Sequence, residues 1–266
     1  MAHPSGTIAD DPTTTGLTGW FQTSFSQSRD DVATTRLGMA HLGVDYRLTE
    51  DFLVGVMGQY DHTSQKDRAN NTSADGDGWL AGPYFVTRFD DFTLDGRALW
   101  GSASNSVSPD VRISDTFRSS RELYQLGLTG RFAMSDELAI LPNIRVVHFS
   151  ETSDSYVNGL GAIIDRQSVH VGQMTFGPEF EYRPAMNQDF TVFFGAKGVW
   201  DFDASNGVTF TNGTTSAGSE ELRLRLQASA NLTVGDGVFS LSVSHDGLGQ
   251  SDFAAFTAHV GYHHQF

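Results

Sequence analysis

Three histidines crowd the stretch HVGYHHQF, at His259, His263 and His264. Imidazoles at close spacing raise the prospect of a metal site or a proton relay. In an extended chain His259 and His263 share one face but stand roughly 13 Å apart at the rise of a strand. One metal ion does not bridge that gap, and His264 falls on the opposite face. Interfacial or interior packing is the better reading. The acidic pair in SADGDG, Asp75 and Asp77, hints at calcium. No later carboxylate stands at the spacing of a calcium loop, so a glycine turn is expected there. No G-x-S-x-G, H-E-x-x-H or P-loop pattern occurs, and no serine has a nearby histidine with an evident role. The sequence therefore predicts no catalytic residue, no metal and no cofactor.

The more informative charges are those that alternate with apolar residues. Asp95, Arg97, Arg131, Arg145, Lys197, Arg223 and Arg225 each fall opposite an apolar face, and Glu179 and Glu181 alternate with Phe176, Phe180 and Tyr182. Such a set is expected to line a polar, water-compatible lumen. The plainer reading is that barrel interiors are polar anyway and that mutual pairing lowers the cost of burying each charge.

The elements that position these charges are strands. In ELRLRLQASANLTV the residues Leu222, Leu224, Leu226, Ala228, Ala230, Leu232 and Val234 take one face, while Arg223, Arg225, Gln227 and Asn231 take the other. A helix would scatter those leucines around its circumference. DFTLDGRALWGS and DFTVFFGAKGVWDF repeat the pattern; DGWLAGPYFVTRF alternates poorly and has no orientation from sequence. The strand template finds about twelve segments. They lie near 17–29, 33–48, 52–66, 77–88, 92–104, 118–134, 138–151, 168–183, 189–202, 219–234, 238–246 and 253–266.

Composition narrows the class. The chain has 266 residues, no cysteine, 28 glycines and a formal net charge of -15, from 17 basic and 32 acidic side chains. A nucleic-acid partner is excluded on charge, and disulfides and thiolate metal sites are excluded outright. No stretch approaches the roughly 18 apolar residues of a membrane helix. The opening MAHPSGTIADDPTTTG is polar throughout, so any export signal is expected to lie outside this sequence.

The connections alternate in length. TED, DD, SDE, PAMNQ and GDG are tight turns, whereas residues near 67–76, 105–117, 152–167 and 203–218 form long polar connections. One end of the structure is therefore trimmed and the other elaborate, as in a transmembrane barrel with short periplasmic turns and long external loops. The fold expected is all-β, an antiparallel membrane barrel over residues 17–266. Residues 1–16 form a polar segment, either a linker remnant or a piece that enters the lumen. Trp20, Phe52, Phe92, Trp100, Phe190, Trp200 and Phe253 lie near segment ends and are expected to form interfacial girdles.

HLGVDYRLTEDFLVGVMGQY, GDGWLAGPYFV, LDGRALWG, FGPEFEYR and SHDGLGQSDFAAF, in that order, resemble the β-domain, or translocator, of autotransporters in type V secretion. The likeness covers about residues 17–266, nearly the whole chain. The C-terminal stretch is similar to an outer-membrane assembly signal: a polar residue, a glycine, a hydrophobic position and a terminal aromatic. His259, Gly261, His264 and Phe266 occupy those places, with His264 standing where a hydrophobic residue is usual.

The resemblance implies a twelve-stranded barrel in the bacterial outer membrane, surrounded by its lipids and inserted by the barrel-assembly machinery. It implies a monomer that carries a passenger polypeptide, linked in cis, across the membrane. It also implies a pore helix before the first strand. IADDPTTTG is a poor helix, so linker helix and passenger are expected to be absent from this sequence. Two other functions stay open at this point: a stand-alone barrel acting as a small-solute pore or surface adhesin, and a barrel hydrolase.

Overall fold

A computed structural model describes residues 16–31, 33–67, 72–110, 113–204 and 222–266. Twelve long strands run up and down in chain order. They are β1 (Leu17–Asp30), β2 (Ala33–Thr49), β3 (Phe52–Asp67), β4 (Ser73–Phe89), β5 (Phe92–Asp110), β6 (Ile113–Gly130), β7 (Leu138–Ser153), β8 (Ser168–Tyr182), β9 (Phe190–Ala204), β10 (Leu222–Val234), β11 (Gly237–Leu248) and β12 (Phe253–Gln265). Every strand pairs antiparallel with its neighbours in sequence, and β12 pairs with β1, so the sheet closes. Closure leaves no strand edge for lipid to strand without hydrogen bonds.

The segments expected from alternation coincide with these strands, but several strands run longer. Residues 73–76 belong to β4, and residues 105–110 and 113–117 belong to β5 and β6. The stretch NSVSPDVRISDT is thus mostly a tall hairpin, and SADGDG is strand where a glycine turn was expected. Alternation fades there because both faces of those extensions are polar. The connection 152–167 is a loop carrying a small hairpin, in which Tyr156 and Val157 pair with Ile164 and Ile163. The expected connection 203–218 lies outside the described residues beyond Ala204, as do residues 1–15.

At the opposite end the turns are short, two residues each at Glu50–Asp51, Asp90–Asp91 and Gly235–Asp236. Asp90 takes a positive φ of 49° to make its turn, a conformation Asp tolerates better than most residues. A collar of backbone bonds joins one hairpin to the next. The N–H groups of Arg47, Arg88, Arg131, Arg183, Thr233 and Gln265 donate to the carbonyls of Gly16, Asp51, Asp91, Glu137, Asp189 and Asp236. Phe266 is held the same way, its N–H donating to Leu17 O at 3.1 Å.

The outward faces carry the apolar band. Phe52 and Tyr60 on β3 are exposed eight residues apart, and so are Phe92 and Trp100 on β5. Eight residues rise about 26 Å along a strand, or about 20 Å along the axis at a tilt of about 40°, close to the height of an outer-membrane apolar band. Phe89, Phe92 and Phe132 touch in series at the short-turn girdle, and Trp100 donates to the Tyr124 hydroxyl at 3.1 Å in the other.

Two girdle assignments are corrected. Trp20 and Phe253 are only 9% and 6% exposed and face the interior. Parity decides the matter: Trp20 is in phase with Thr18, Ser24 and Ser26, and Phe253 with Ala255, Thr257 and His259, all buried. The unoriented segment in β4 also resolves. Trp79 points out, while Leu80, Tyr84 and Val86 point in, so its inner face is as apolar as its outer one.

Candidate functional site

The interior is where the sequence-derived charges meet. Its apolar part comes from register. Leu99, Leu123, Phe149 and Val171 lie directly opposite one another across β5, β6, β7 and β8, all with 1% exposure or less. Trp20, Met57, Leu80 and Tyr84 extend this cluster around the wall from β1 to β4. Small residues make the reach possible. A Cβ on Gly43 would stand 2.5 Å from the Trp20 ring, and one on Gly55 would stand 2.5 Å from Tyr84. Trp20 therefore lies across β2 and Tyr84 across β3, so that they meet: Trp20 donates its Nε1–H to the Tyr84 hydroxyl at 2.6 Å, and Tyr84 donates to Asp45 at 2.5 Å.

Around this cluster the polar side chains form chains of hydrogen bonds and ion pairs. In one, Arg121 on β6 donates to Asp61 on β3 at 2.9 Å and to Glu151 on β7 at 2.8 Å. Asn105 and Ser119 complete the Glu151 carboxylate at 2.7 and 2.5 Å. Gln59 donates to Asp61 and meets His41 at 3.0 Å. Arg121 crosses β4 above Gly78, where a Cβ would lie 1.8 Å from its Nη1. No part of this chain except its position on inward parity was legible in sequence. Arg121 is followed on the same face by Leu123, which hides the polar–apolar alternation.

The second chain contains two of the residues singled out from sequence. Arg223 is fully buried between Asp201 at 2.8 Å and Asp246 at 3.1 Å, and Arg225 donates to Asp246 at 2.6 Å. A register shift between Leu224 and Arg225 sets Arg225 opposite Asp246, the kind of re-aiming a bulge provides. Phe253 lies under the Arg223 guanidinium, 5.2 Å from its ring centre, a desolvated cation–π contact. Gln173 donates to the other Asp201 oxygen at 2.6 Å.

The remaining candidates group nearer the short-turn end. Asp95 pairs with Arg145 at 3.5 Å and accepts from Gln125 at 3.4 Å. Arg97 lies in register with Tyr84 and Gln125. Lys197 reaches Glu179 at 3.3 Å. Glu181 accepts both Nε and Nη2 of Arg131, at 3.0 and 3.1 Å, and also bonds Arg183. The structure thus brings Asp95 to Arg145, Glu179 to Lys197 and Glu181 to Arg131. Asp61, Glu151, Asp201 and Asp246, none of them among the sequence-derived lumen candidates, are the partners of the buried Arg121 and Arg223.

The C-terminal residues divide between the faces. His259 is 6% exposed and inward, with Gln22 at 3.4 Å. Gly261 lies opposite Gln22 and Ser240. His264 faces outward, its ring edge-on to Phe266 at 4.7 Å and 3.3 Å from the Tyr262 hydroxyl. That aromatic company lets an imidazole occupy an apolar position. Phe266 is 77% exposed at the short-turn girdle.

Comparison with known proteins agrees with this architecture. The family profile described as Autotransporter beta-domain matches residues 13–246. The translocator domain of the autotransporter NalP from Neisseria meningitidis superposes with a TM-score of 0.76 at 16% identity, covering 96% of this chain and 90% of that one. The β-domain of the Bordetella autotransporter BrkA gives 0.77 at 15% identity, covering 94% and 100%. The transport unit of the autotransporter AIDA-I from Escherichia coli gives 0.73 at 14% identity, covering 100% and 95%. Comparison with curated proteins gives no match. The chain belongs to the autotransporter β-domain family, outer-membrane barrels that serve the export of a covalently linked passenger polypeptide.

Proposed function

We propose that the passenger crosses as an extended chain through the polar interior, and that the barrel acts without bond-making chemistry. The supporting observation is the lie of the ion pairs. Arg121 reaches Asp61 along the wall, over Gly78, and Arg223 stays between carboxylates of its two neighbouring strands. Paired charges carried on the wall offer hydrogen bonds to a passing backbone without a strong net field to trap it. The barrel works as a monomer in contact with outer-membrane lipids through its apolar band.

A reporter polypeptide fused ahead of Met1 tests this reading. Protease added to intact cells is expected to digest the reporter. A reporter that stays protected inside cells while the barrel keeps its heat-modifiable gel shift would overturn it.

The last strand is proposed as the element that the barrel-assembly machinery recognises, since an unpaired strand edge can pair with a partner edge. Burying an interfacial phenyl ring contributes only about 1–3 kcal/mol. Deleting Phe266 is therefore expected to lower outer-membrane yield sharply in cells while leaving refolding into detergent nearly intact. Unchanged insertion in cells would reduce Phe266 to an interface anchor.

A further inference from the structure

Arg121, Arg145, Lys197, Arg223 and Arg225 of the interior are engaged with carboxylates, whereas a group of three neighbouring outward cations is not. Arg29 on β1, Arg36 on β2 and Lys66 on β3 are exposed, and among the described residues none of them forms an ion pair. Register places them together. Arg29 and Lys66 stand directly opposite Thr34, one from each side. Arg36 is the next outward residue of β2 after Thr34. Opposed residues lie about 5 Å apart at Cβ and diagonal neighbours about 7–8 Å. Arg29 and Lys66, two strand spacings apart, are separated by about 10 Å.

Three side chains of this length converge easily on one tetrahedral anion, with the Thr34 hydroxyl at the centre as a further donor. Guanidinium forks bond phosphate oxygens in pairs, and the ammonium adds a point charge. The group is built on three paired strands, so the backbone positions of its members are fixed before any ligand arrives.

Its height identifies the source of the anion. Arg29 lies four residues beyond the exposed Phe25, and Lys66 six beyond the exposed Tyr60. At strand rise and barrel tilt this is about 10–15 Å outside the long-loop girdle. Long basic side chains lean back toward the interface by several ångströms. The cluster therefore faces the headgroups of the outer leaflet. Asp31 and Asp75 border it on the turn side and the β4 side, which restricts the attractive zone to the strip around Thr34.

We infer that Arg29, Thr34, Arg36 and Lys66 form a binding site for a phosphate group on an outer-leaflet glycolipid headgroup. The chain as a whole is strongly acidic, with a net charge of -15, so a local basic tripod is the means by which an anionic leaflet can lie close against this side of the barrel.

The test uses the purified barrel in detergent and does not depend on passenger export. Diphosphorylated lipid A is titrated and bound lipid is read by native mass spectrometry, with dephosphorylated lipid A and inorganic phosphate in parallel. Wild-type barrel is expected to bind the phosphorylated lipid at least tenfold more tightly than the dephosphorylated one. The triple variant R29Q/R36Q/K66Q is expected to lose that preference. Arg118→Gln, which removes an exposed cation on β6 away from the cluster, should leave it unchanged, and each variant must retain the gel shift of a closed barrel. Equal binding of both lipids, undiminished binding by the triple variant, or an equal loss with Arg118→Gln would overturn the site. Displacement of the lipid by an equal concentration of inorganic phosphate would overturn the headgroup assignment.

Discussion

The wall made by β4, β5 and β6 is tall, with strands of 17, 19 and 18 residues, while β11 and β12 have 12 and 13. The difference of about five residues raises one side by about 12 Å along the axis at ordinary strand rise and barrel tilt. Each wall has one arginine buried between two carboxylates, yet the wiring differs. Arg223 joins residues on the two strands beside it, which the ladder already holds. Arg121 reaches past two strands to Asp61 and also binds Glu151 next door. The Arg121–Asp61 bridge lies at the height of the long-loop girdle, where the taller wall leaves the lipid, and it ties strands that backbone pairing does not connect directly. Height here goes with reach.

The largest effect is expected from Arg121→Met. It leaves Asp61, which is fully buried, without its cation, and breaking a buried pair in this way costs about 3–5 kcal/mol. Arg223→Met should fall at the lower end of that range, because Arg225 still holds Asp246. Urea unfolding of both variants in vesicles gives the order; a larger loss at Arg223 would reverse the comparison.

Gly78→Val comes next. Its new side chain would occupy the place of the Arg121 guanidinium, at a cost of about 1–3 kcal/mol from overpacking. Combined with Arg121→Met the two losses should not add, since they remove one interaction. Additive losses would mean that Arg121 does not depend on the space above Gly78.

Trp20→Phe keeps an aromatic ring in the row but removes the donor to Tyr84, for about 0.5–1.5 kcal/mol. Replacing residues 108–114 by a two-residue turn should change stability least, by less than about 1 kcal/mol, because shortening a surface connection alters closure entropy only slightly. A loss of several kcal/mol would show that the top of the tall wall supports the barrel beneath it.

How much of this was legible depended on whether one strand carried the information. In β10 the leucines and arginines keep strict alternation, and the faces assigned from them match the exposure of Leu222 and Leu224 and the burial of Arg223. Trp20 and Phe253 were misassigned because nearness to a turn was weighed above parity with their own neighbours. The row Leu99, Leu123, Phe149 and Val171 was invisible for a different reason: it exists only once four strands are set in register. Ion-pair partners share that limit. Asp95 and Arg145 were each recognisable as inward charges, but their meeting is a property of the closed sheet.

The seam between β12 and β1 has a consequence for timing. Thr18 pairs with Gln265, about 250 residues later, and the pairing continues to Asp30 opposite Phe253. A ribosome that has finished β1 must make eleven more strands before β1 has its second neighbour. Until then the first strand's outer edge is open to any other extended chain. The search needed to close so long a loop grows only slowly with its length, but contacts of such separation make folding slow. The outer edge of β1 is therefore satisfied only once β12 is in place, and whatever holds the chain before closure has to keep β1 from pairing with other strands.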